Sequence, residues 1–174
     1  MSEKSLSGAK PVSFGERLAS SQAFAELFRD GMALVEETAT YLDGPGRQQS
    51  KKLERAAALA YATESMRLTT RLMQLASWLL LHRAVQEGEM SLAQAGKEKS
   101  KVKLTASDPH DVHNLELLPA ALRELIERAQ KLYGKVRRLD ATIYNQGPAE
   151  QLTAGNPDER QLGLLKAAFE AEKV

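Results

Sequence analysis

YATESMRLTTRLMQLASWLLLHRAV, residues 61–85, is apolar at helical rather than strand spacing. Leu68, Leu72, Leu75 and Leu79 alternate steps of four and three and so line one face of a helix. Leu59, Met66, Met73 and Leu80 recur every seven residues and build a second stripe beside the first. Two stripes offer more apolar surface than one neighbour covers. This helix is therefore expected at the centre of a bundle or at a subunit interface.

Composition bounds what surrounds it. A chain of 174 residues suits one domain with tails, and 43% apolar with 27% charged residues is ordinary for a globular protein. A net charge of +1 sets up no global field for nucleic acid or an anionic membrane. With no Cys there is neither a disulfide nor a thiolate metal site. The opening MSEKSLSGAKPVS lacks an apolar signal core, so a cytoplasmic protein is expected. The greasiest run, Leu72 to Leu81, is bracketed by Arg71 and His82. It falls short of the roughly 20 residues a membrane-spanning helix needs.

Working outward, residues 1–18 read as a flexible leader. A first helix, about 21–42, starts at Ser20 or Ser21 as N-cap and carries Phe24, Phe28, Met32, Val35, Ala39 and Leu42 along one face. Gly31 inside it marks either a close helix approach or a tolerated glycine. Asp43-Gly44-Pro45-Gly46 stops that helix and turns the chain back. The second helix then spans about 47–87, near 60 Å at about 1.5 Å per residue, until Gly88 ends it. Residues 88–114 lose periodicity and read as a solvated, mobile loop. A third helix, about 115–145, carries Leu118, Leu122, Leu125, Ala129, Leu132, Val136, Leu139 and Ile143 in unbroken heptad spacing, widened by Ile126 and Tyr133. Residues 147–174 form a tail in which Leu162, Leu165, Ala168 and Phe169 share a face if helical. The expected fold is all-α, an antiparallel three-helix bundle with a long central helix.

No catalytic constellation is present. There is no Gly-rich phosphate loop, no nucleophile elbow and no His pair on one helix face, and Ser65 and Ser77 lack a His at helical spacing. His110, His113, Asp108 and Asp111 hold suitable metal-ligand chemistry without a helical frame, so no metal and no other cofactor is expected. Lys97, Lys99, Lys101 and Lys103, even with Arg137 and Arg138, lack the interleaved aromatics of a nucleic-acid surface. The residues support a non-enzymatic helical interaction protein, and a purely structural coiled-coil dimer fits them as well.

SQAFAELFRDGMALVEETATYLDGPGR and YATESMRLTTRLMQLASWLLLHRAVQEGEM resemble the RcdA family, regulators of CtrA degradation. The resemblance spans roughly residues 21–90 and fades to general heptad similarity beyond them. It implies a dimeric three-helix bundle acting as a protease adaptor. In such proteins CpdR primes the ClpXP protease, and the adaptor docks on it with cargo or with PopA, which binds cyclic di-GMP and delivers CtrA. The candidate contacts are this chain's own. Leu162, Leu165 and Phe169 form one expected partner site, and Glu36, Arg67 and Arg71 another. Trp78, Leu79, Leu80 and Leu81 are expected at the dimer interface.

Overall fold

The computed structural model describes residues 21–102, 104 and 112–144; the expected leader and tail, with Leu162, Leu165 and Phe169, lie outside them. Six helices and no strand occur among the described residues. Three are long: α1 (Gln22–Asp43), α3 (Arg55–Gln86) and α6 (Ala120–Tyr144). Three are short: α2 (Pro45–Ser50), α4 (Leu92–Lys99) and α5 (Val112–Glu116).

Ser21 caps α1, its Oγ accepting the Phe24 N–H at 3.4 Å. Gly44 ends the helix, donating its N–H to the Thr40 carbonyl, and Pro45 opens α2. The buried face of α1 is Phe24, Gly31, Leu34, Thr38 and Tyr41, rotated from the expected stripe. Met32 is only half-buried and Ala39 is exposed. The cause is Gly31. Its missing side chain admits Leu79 of α3, whose Cδ1 stands where a Cβ would be, with Leu132 and Leu75 beside it. Apolar counting gives Gly and Thr no weight, whereas close approach of two backbones favours them. Gly31→Val is expected to destabilise the chain by about 1–3 kcal/mol through overpacking, measured as a shift in the urea midpoint.

The expected single second helix is broken. α2 closes after six residues, and Lys52 and Leu53 donate their N–H groups three residues back, to Gln49 and Ser50. This tighter turn lets Leu53 reach the core before α3 starts. The 32 residues of α3 then span about 48 Å. Leu68, Leu72, Leu75 and Leu79 are buried as expected. Gly88, at φ 76°, turns the chain out of α3 in a backbone region that favours glycine.

Each heptad residue of α6 faces the core, with Leu139 partly covered, and Ile126 and Tyr133 widen the contact. An all-α bundle of three long helices is thus what folds. α1 runs antiparallel to both partners: Phe24 meets Trp78 (ring centroids 6.4 Å apart), and Glu37 pairs with Arg128. α3 and α6, however, run parallel. Gln74 meets Tyr133 at 3.0 Å, Trp78 meets Asp140 at 2.8 Å and His82 meets Tyr144 at 3.0 Å, so residue numbers rise together. Only a long crossover permits this, and residues 87–119 supply it.

That crossover is not simply a solvated loop. Ser91 and Gln94 form a capping box at the start of α4, with Ser91 Oγ accepting from the Gln94 N–H at 3.1 Å and the Ser91 N–H donating to Gln94 Oε1 at 3.0 Å. Ala95 is buried, and Lys99 bonds Asp140 of α6 at 2.7 Å. The S-x-x-Q pattern was legible in the chain, but eight residues with a single buried position show no period.

Candidate interaction surfaces

The long helices carry polar side chains inward as well as outward. Glu64 is 0% exposed and accepts a hydrogen bond from Arg67 at 2.9 Å. Arg71 is buried, its guanidinium 5.8 Å from the Tyr133 ring centroid, and Tyr133 in turn donates to Gln74. Of the expected partner site Glu36, Arg67 and Arg71, the first two therefore face solvent, whereas Arg71 does not. A charge placed on α3 at heptad-like spacing from Leu68 and Leu75 is carried into the α3–α6 seam by the same rotation that buries them.

The C-terminal ends of α3 and α6 meet in a polar network inside the core. Trp78 Nε1 donates to Asp140 Oδ1, and Lys99 donates to Asp140 Oδ2 while lying 3.9 Å from the Tyr144 ring centroid. His82 stacks on Trp78 with centroids 3.9 Å apart. Its Nδ1 lies 2.9 Å from the Trp78 carbonyl, which only accepts, so Nδ1 carries the proton and Nε2 accepts from the Tyr144 hydroxyl. Every polar atom of the neutral ring is satisfied. Burial holds the His82 pKa below its ordinary 6.5, the Trp78 carbonyl and Asp140 oppose the shift, and Lys99 adds to it. Burial, with Asp140, pushes Tyr144 up to about 12.

A pH dependence follows from this pocket. The unfolded His82 binds a proton near 6.5, while the folded one stays neutral to lower pH. Stability is therefore full above that value and falls as pH drops below it, by up to about 1.4 kcal/mol per pH unit. Urea midpoints at a series of pH values between 7.5 and 5 measure the slope. His82→Phe is expected to flatten it.

Trp78 and Leu79 are 1% and 0% exposed, so neither can touch a second subunit; that expectation is corrected for both. They pack against Phe24 and Gly31 of α1. Leu80 is exposed and Leu81 half-buried. What α3 does offer to solvent is its second stripe: Leu59, Met66, Met73 and Leu80 are 70, 72, 66 and 52% exposed. At seven-residue spacing they run about 32 Å along one helix. The four are the large apolar side chains most open to solvent among the described residues. A row of exposed apolar side chains of this kind is a candidate interaction surface. Between α1 and α6, Arg128 grips Glu37 bidentately at 2.7 Å and draws its carboxyl below the usual range.

Nothing among the described residues gathers three or more His, Asp or Glu side chains as a metal site. No helix among them is long and apolar enough to cross a membrane. His113 is exposed; its expected companions His110, Asp108 and Asp111, like Lys103, lie outside the described residues.

Residues 15–169 match a family model described as a protein of unknown function, DUF1465. The chain is 49% identical to the protein in the crystal structure of RcdA from Caulobacter crescentus CB15, covering 76% of this chain and 99% of that one, with a TM-score of 0.63. The chain belongs to the RcdA family. The alignment extends over nearly all of that RcdA structure. No curated protein matches. The RcdA-like bundle brings Glu36, Arg67 and the heptad stripe to the surface and takes Trp78, Leu79 and Arg71 away from it.

Proposed function

We propose that this chain is a non-catalytic adaptor that delivers cell-cycle regulators such as CtrA to the ClpXP protease in the cytoplasm, acting with CpdR and PopA. The observation that carries this reading is the 49% identity to RcdA across 99% of that structure. The described residues add a helical bundle whose large apolar side chains most open to solvent form one row on α3. Such a molecule acts by holding partners together. Tethering cargo at the protease converts a weak encounter into an effectively intramolecular one.

Self-association belongs to the same reading. The stripe Leu59, Met66, Met73 and Leu80 is the proposed homodimer face, two copies of α3 covering each other as helices with heptad seams do. Glu36 and Arg67 border other exposed faces of α1 and α3 and are proposed partner contacts, as is the segment holding Leu162, Leu165 and Phe169.

Reconstituted proteolysis tests the reading. ClpXP, CpdR, PopA, cyclic di-GMP and CtrA are combined with and without this chain, and CtrA loss is followed by gel. Degradation is expected to accelerate on its addition. An unchanged rate, with the chain folded and dimeric, would leave a structural coiled-coil dimer as the better account.

A further inference from the structure

A groove runs between the antiparallel α1 and α6. One part, about 470 Å³, presents the part-exposed Leu27 and Leu139 above the buried Phe24. Asp30 and Lys135 border both it and a further 290 Å³, where Ala33 is exposed and Leu34 and Leu132 lie buried beneath. The bidentate Arg128–Glu37 pair ties α6 to α1 just beyond Leu34. No residue of α3 lines the groove, so it is separate from the apolar stripe.

The two walls carry opposite charge. α1 contributes Glu26 and Asp30; α6 contributes Lys135 and Arg138. Among the described residues Lys135 and Arg138 take part in no ion pair, unlike Lys131 and Arg128 on the same helix. From Ser21 to Leu34 the groove follows α1 for about 20 Å, three to four helical turns. An apolar floor between a negative and a positive edge is the complement of one object: an amphipathic helix with an apolar stripe, acidic residues along one border and basic residues along the other.

We propose that this groove docks such a helix, about thirteen residues long, from a partner protein. Its acidic border lies along Lys135 and Arg138 and its basic border along Glu26 and Asp30. Because reversing the helix exchanges its borders, the charge order also fixes the direction in which it runs. The inference rests on the adaptor reading for the existence of a partner and adds the form of the segment recognised. A second copy of this chain is a poorer fit. Among the described residues the exposed apolar ridge it offers is the α3 stripe, and stripe-in-groove contact is heterologous and need not close.

The test uses the full chain and three synthetic thirteen-residue helical peptides with one leucine stripe. Their borders are acidic and basic, both acidic, or both basic, and binding is read by fluorescence anisotropy at low salt. The mixed peptide is expected to bind at least about tenfold more tightly than either other. In the Lys135→Glu/Arg138→Glu variant both walls are acidic, and the peptide with two basic borders should become the tightest. Equal affinities, no binding, or an unchanged order in the variant would overturn the proposal. Sedimentation of the same variant addresses the second copy: unchanged self-association is expected, and its loss would assign the groove to another subunit. Should CtrA degradation accelerate while no peptide binds, the adaptor reading stands and the groove proposal falls.

Discussion

Trp78→Ala will remove about 3–5 kcal/mol of stability, a large part of what a domain of this size possesses. The indole is 1% exposed, stacks on His82, meets the Phe24 ring and donates to Asp140. Truncation leaves a cavity where α1, α3 and α6 converge. It also strips a donor from a carboxylate that holds Lys99 of α4, so the start of the crossover loosens with the core. Trp78→Phe keeps most of the packing and loses the hydrogen bond, for about 1–2 kcal/mol. Urea unfolding followed by circular dichroism separates the two, since the sole Trp is absent from both variants. A loss below about 1 kcal/mol for the alanine variant would show that the core does not depend on this contact.

Met66→Lys/Met73→Lys will dissociate the proposed homodimer while leaving the fold intact. Both side chains are more than half exposed in the single chain, so the substitutions are expected within about 0.5 kcal/mol of neutral for folding. In a symmetric dimer each substitution counts twice. Four methionines at about 1.5 kcal/mol each would amount to about 6 kcal/mol of association, and four lysines facing one another add repulsion. Sedimentation velocity should show weakening by well over about a hundredfold. Met66→Ala/Met73→Ala is expected to fall between. Dimerisation that survives the lysine pair would place the interface elsewhere.

The two variants bear on opposite faces of α3, and that contrast shows what was legible in the chain. Both stripes of the helix are visible in the sequence as residue spacings. So is every core position of α6, the Ser21 cap and the stop at Gly44-Pro45. Other features carry an ambiguous signal, as at Gly31, or none. Gly31 and Thr38 belong to the buried seam of α1, yet hydropathy scores neither as core; space for Leu79 is a property of two helices together. Arg71 reads as surface charge because most charged residues are, no spacing marks Glu64 as buried, and His82 reads as a flank to an apolar run. Their burial is tolerated because Arg67, Tyr133's ring, Tyr144 and the Trp78 carbonyl meet them in space. Those partners lie from three to 62 residues away.

The amino-acid sequence by itself determined three long helices, the residues that share each face, and the resemblance to the RcdA family. Such information is local: a period of 3.6 residues states which side chains point together and needs no neighbour to do so. Only the tertiary structure decided that α6 runs parallel to α3 and that Trp78 and Leu79 sit inside. It also decided that Leu59, Met66, Met73 and Leu80 are left in solvent. The reason is physical. A connection of some thirty residues reaches either end of the bundle, so direction is set by which packing satisfies Trp78, Asp140 and His82. Once α1 and α6 occupy one side of α3, its other stripe has nothing within the described chain to cover it.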